Sequence, residues 1–66
     1  MKHRVMMKTE RDGAFTIVTA LAADGSVLAT ARMKGLYNAI ECARKRVVRL
    51  LGYNSSNTEF IVVIVA

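Results

Sequence analysis

The chain has 66 residues, 53% of them apolar, and its ten Lys and Arg against five Asp and Glu give a formal charge of +5. A domain this small buries only about 60% of the surface its unfolded form exposes, so it needs a disulfide, a metal or a second chain to supplement its core. The lone Cys42 excludes an internal disulfide, and the lone His3, with no Cys, His or carboxylate cluster at ligand spacing, excludes a structural zinc site; association with another chain is what remains.

Over 4–10, Val5, Met7 and Thr9 alternate with Arg4, Met6, Lys8 and Glu10, which predicts a strand with one better-buried face. Arg11-Asp12-Gly13 then supplies a turn, because a glycine after Asp tolerates the positive φ that tight hairpins use. A second strand is predicted over 14–22, with Phe15, Ile17, Thr19 and Leu21 on one face and Thr16, Val18 and Ala20 on the other. Ala23-Asp24-Gly25-Ser26 repeats the turn chemistry. A third strand follows over 27–33, Val27, Ala29, Ala31 and Met33 facing one way and Leu28, Thr30 and Arg32 the other. These three strands form a meander.

After Lys34-Gly35 the apolar period changes to that of a helix over 36–51. Leu36, Ala39, Ile40, Ala43, Val47 and Leu50 fall in one stripe with Leu51 at its margin, opposite Asn38, Glu41, Lys45 and Arg49. Ala39 and Ala43 keep the stripe thin, so the helix can approach the strands closely. Gly35 stands at the N-cap and Gly52 at the left-handed C-cap. A polar loop, 53–58, leads to a last strand over 59–66 that is apolar on both faces: Phe60, Val62, Ile64 and Ala66 on one, Ile61, Val63 and Val65 on the other.

The class is therefore α+β, in one domain over 1–66: β-β-β-α-β, a four-stranded mixed sheet of order 3-2-1-4 with one helix packed on one face. The doubly apolar final strand demands a protected position beside the first. One helix shelters one side of a sheet, so Ile61, Val63 and Val65 need a second body. A homodimer, through the final strand or the open sheet face, is expected.

The polar inventory points away from catalysis. Asp12 and Asp24 belong to turns, Glu41 points away from the sheet, and no carboxylate pair is placed for acid and base roles. His3 reads as a frayed surface residue and Cys42 as a structural one. The four glycines all serve turns or helix ends and make no phosphate loop. No cofactor, metal or small-molecule substrate is implied. The N-terminus never reaches an apolar run of signal-peptide length, and the final run is far short of the roughly 20 residues that span a bilayer. With its lone thiol the chain reads as cytoplasmic, in the host cytoplasm if it is phage-encoded, without a membrane partner.

Arg44, Lys45, Arg46 and Arg49 are the most suggestive chemistry. Lys45 and Arg49 face solvent, whereas Arg44 and Arg46 lie on opposite flanks of the stripe. As an ordinary solvated face they include an i,i+4 pair of Glu41 with Lys45 and a last turn of cations favoured by the helix dipole. As a phosphate-binding surface they could be extended by Arg32 and Lys34. Phe15 and Phe60 read as core, so the stacking platforms of single-strand binders are not evident.

Asp24-Gly25-Ser26-Val27-Leu28-Ala29-Thr30-Ala31-Arg32, followed by Gly35 and the Ala39/Ala43 helix ending at Gly52, resembles in layout the partial RNase H-like domains of HicB-type antitoxins. It is also similar to phage-encoded anti-CRISPR proteins built from a meander, one alanine-rich helix and a closing strand. The metal-binding carboxylates of the RNase H family have no counterparts here, so that resemblance implies a non-catalytic relative and carries over no functional residue. The expected function is that of a non-enzymatic interaction protein, which binds and sterically blocks another protein or a protein–RNA complex, with Tyr37, Lys45 and Arg49 as exposed contacts. The alternative is a nucleic-acid-binding module using the basic helix on backbone phosphates.

Overall fold

The structure, a computed structural model, describes residues 3–52 and 57–64. Its elements are β1 (His3–Asp12), β2 (Phe15–Leu21), β3 (Val27–Lys34), α1 (Leu36–Leu51) and β4 (Thr58–Ile64). They form a mixed sheet of order β3-β2-β1-β4, antiparallel within the meander and parallel between β1 and β4. The α+β layout and strand order are those expected.

Local chemistry sets each junction. Asp12 pairs with Phe15, so the first hairpin turns on Gly13-Ala14 alone, one residue later than the Asp-Gly signal suggests. Gly13 takes φ 61° and no described non-glycine residue, Ala14 included, has positive φ, as in turns whose first central residue alone is left-handed. In the second turn the Asp24 carboxylate accepts hydrogen bonds from the Ser26 N–H at 2.9 Å and the Ser26 hydroxyl at 2.7 Å. A register shift at Ala20/Leu21 places Ala29 opposite Ala20 but Val27 opposite Leu21, bulging β3 at Leu28. Gly52 closes α1 with φ 71° and donates its N–H to the Val48 carbonyl.

Gly35 at the other end has φ 89° and ψ 135°, with no side-chain cap. A Cβ there meets nothing closer than Asn38 Nδ2 at 3.6 Å, so room is not the constraint; the backbone conformation is. Gly35→Ala is therefore expected to cost about 1–3 kcal/mol of stability through strain alone, measurable by urea denaturation. An unchanged midpoint would show that the β3–α1 junction has another conformation.

The core lies between α1 and one sheet face. Val5, Met7, Val18, Ala20 and Ala31 from the strands and Ala39, Ala43 and Val47 from the helix are its buried apolar residues, with Thr9 beside them. Small residues decide where the helix sits. Ala20, Ala29 and Ala31 make the β2–β3 half of that face low, and Ala39 and Ala43 of the same core make the helix thin. The helix settles chiefly on β3 and β2, touches β1 less, and makes no extensive contact with β4. Two expectations change as a result. Leu36 and Leu50 leave the buried stripe, Leu50 being 71% exposed, because they overhang the seam at the two helix ends. The helix-side face of β4 is covered at Thr58 and Phe60 but open beyond them, Val62 being 43% and Ile64 67% exposed, so at this end of the strand no described element lies over either face.

Candidate interaction surface

Cross-strand register defines the uncovered side of the sheet. Arg32, Ile17 and Glu10 share one row, Thr30, Thr19, Lys8 and Val63 the next, then Leu21, Met6 and Ile61, then Arg4 and Glu59. Phe15, Ile17 and Leu21 run along β2, and Met6, Ile61 and Val63 continue the apolar strip across β1 and β4. No described element lies over it. Its margins carry both signs, Arg4 and Arg32 with Glu10, Asp12 and Glu59, while Lys8, flanked by Thr19 and Val63, stands within it.

Phe15 is not core. It belongs to this open face, half-buried, with the Arg32 guanidinium 4.5 Å from its ring centre. Arg32 also pairs with Asp12 at 3.2 Å, so Asp12 is an ion-pair partner as well as a turn residue. Sequence reasoning left Met6, Phe15, Ile17 and Leu21 out of the site. The signal was present in β2, whose larger side chains all share one parity while Val18 and Ala20 share the other.

Of the two described residues expected at a dimer interface, Ile61 is half-buried and Val63 is 36% exposed, both on the open face; Val65 lies outside the described residues. β4 is held to β1 by its ladder and by the buried Thr9 hydroxyl, which donates to the Val63 carbonyl at 3.0 Å.

The helix cations do not act as one group. Arg44 grips Glu41 through Nη2 at 2.6 Å and Nε at 3.3 Å, so the partner of Glu41 is Arg44 rather than the expected Lys45. A planar guanidinium fits two carboxylate oxygens at once and an ammonium does not. Arg46 donates to the backbone carbonyl of Thr30 on β3. Tyr37, 75% exposed, and Lys45 and Arg49 stand on the outer surface of α1, away from the apolar strip. His3 is not frayed: it opens β1 and its N–H donates to the Asn57 carbonyl at 2.7 Å. Cys42 is half-buried against the core.

The Arg44 hydrogen bonds hold the Glu41 carboxyl below the usual glutamate range, desolvation opposing them. A depressed folded pKa adds stability above the unfolded value and loses it as acid takes the pH down through the folded one. In a carboxyl NMR titration the Glu41 midpoint is expected low, and Arg44→Met should move it up; an unmoved midpoint would remove the pair.

A cleft of about 600 Å³ opens where the β1–β2 turn, the start of α1 and the end of β4 meet, lined by Phe15, Leu36 and Ile64 with Glu10 and Arg11. Among the described residues no group of three His, Cys, Asp or Glu could hold a metal ion, and no helix is long and apolar enough to cross a membrane. Neither a family model, nor a curated protein, nor a solved structure matches the chain.

Proposed function

We propose that the protein is a non-enzymatic interaction module that works in the cytoplasm, binding and sterically blocking a partner protein or protein–RNA complex through its open sheet face. The observation that carries this is the strip of Phe15, Ile17, Leu21, Met6, Ile61 and Val63 with charges of both signs at its margin. An apolar centre inside a mixed polar rim is the anatomy of a protein interface, whereas a nucleic-acid backbone calls for a field of one sign. Two of the four helix cations are already engaged, Arg44 by Glu41 and Arg46 by Thr30, which leaves Lys45 and Arg49 as a narrow footprint for phosphates. Occlusion needs only shape and affinity, which an exposed apolar face of this kind can supply.

The test is capture from a native lysate at two salt concentrations, with Ile17→Lys as the matched control. A protein retained in a fixed ratio at both, lost with Ile17→Lys, and losing its own activity as the chain is added supports the function. Retention of nucleic acid alone, abolished at high salt, overturns it.

A further inference from the structure

β4 pairs with β1 on one side, and no described strand pairs with its other edge. Two hydrogen bonds fix which backbone groups face which way. The Asn57 carbonyl accepts from His3, and the Val63 carbonyl accepts from Thr9, so odd-numbered residues of this segment turn their peptide groups toward β1. Since peptide groups alternate along a strand, those of Phe60, Val62 and Ile64 point outward.

The sheet's two edges are built differently. β3 carries the protections that natural edges use: a bulge at Leu28, the charges of Arg32 and Lys34, a carbonyl occupied by Arg46, and a helix leaning over it. β4 carries none of these between Phe60 and Ile64. It has no charge, no proline and no register shift there, and Val62, Val63 and Ile64 are all exposed.

We propose that two copies of the chain pair β4 to β4, antiparallel, about a twofold axis at Val62, which merges their sheets into one. Outward groups must meet outward groups, so the axis falls on a residue and not between two. At Val62 the opposed pairs are Phe60 with the partner's Ile64, Ile61 with the partner's Val63, and Val62 with itself. Apolar thus meets apolar on both faces. An axis at Ile61 or Phe60 brings Glu59 to within two residues of the centre, against the partner's Val63 or Ile61, whereas at Val62 no charge falls within positions 60–64. A twofold axis normal to the sheet puts both helices on the same face, and the open face stays free. The pairing is independent of what that face binds.

The isolated chain tests it. At micromolar concentration sedimentation equilibrium is expected to give twice the 7.3 kDa monomer mass. Ile64→Lys should raise the dimer dissociation constant roughly 100-fold or more, because a twofold axis makes every substitution act twice. Val62→Pro should abolish the dimer while circular dichroism shows the fold retained, since the N–H it removes points outward. Val27→Lys, on the other edge, should change nothing. For the register, a cysteine at 62 in a Cys42→Ser background should crosslink through a short bismaleimide. One at 59 should not, lying roughly 20 Å from its mate at about 3.3 Å per residue. A wild-type monomer throughout, a dimer that survives Ile64→Lys, a dimer lost on Ile17→Lys alone, or equal crosslinking at 59 and 62 would each overturn the proposal.

Discussion

Met7→Ala should remove about 3 kcal/mol of stability, whereas Met6→Ala, one residue away, should cost under about 1 kcal/mol. Met7 is the largest fully buried side chain of the core, held between Ala20 on β2 and Val62 on β4, and truncation leaves a cavity that the surrounding strands cannot close. Met6 points to the open face and is 43% exposed, so its loss mostly returns surface to water already in contact with it. For a chain of this length total stability is of the order of 3–10 kcal/mol, and the first substitution therefore takes a large share of it. Urea unfolding of both variants, with an unchanged slope, measures the contrast. Equal losses would mean that β1 is registered one residue away from the pairing described.

Ala43→Leu should cost a further amount of the same size, about 2–3 kcal/mol, by the opposite mechanism. Ala43 is fully buried in the seam where α1 meets the alanines of β2 and β3, and three added carbons there have no space to enter. The helix must lift off or shift toward β1, and either movement separates Val47 and Ala39 from their contacts. Leu50→Ala, at the overhanging end of the same helix, should be close to neutral. A stable Ala43→Leu variant with native circular dichroism and an unmoved urea midpoint would show that the seam is loose.

Element order, helix limits and strand order were legible in the sequence because each rests on a local signal. Alternation in β1 and β2, the change of period after Gly35, the glycine at position 52 and the doubly apolar final strand suffice for the layout. What could not be read is lateral placement. Whether a helix centres on the sheet or leans to one side depends on the summed heights of side chains from three strands, and here Ala20, Ala29 and Ala31 draw it away from β4. The same limit hid the pairing of Arg44 with Glu41 and the hydrogen bond from Arg46 to Thr30, which depend on geometry that a helical wheel does not contain. The open-face strip was half legible: its parity in β2 was seen, but Phe15 was assigned to the core because an aromatic in a strand usually belongs there.

The parallel pairing of β1 with β4 also governs how the molecule assembles in time. Thr9 and Val63 share a hydrogen bond across 54 residues of chain, while the hairpins of the meander close over a handful. Closing the long loop costs conformational entropy before any contact compensates for it, so the meander and its helix are expected to condense first and the last strand to dock late. Interactions made after the barrier slow the escape from the native state without hastening the approach to it. On that order, lifetime and folding speed are set by different parts of one short chain, the first by the strand at the far edge and the second by the alanine seam.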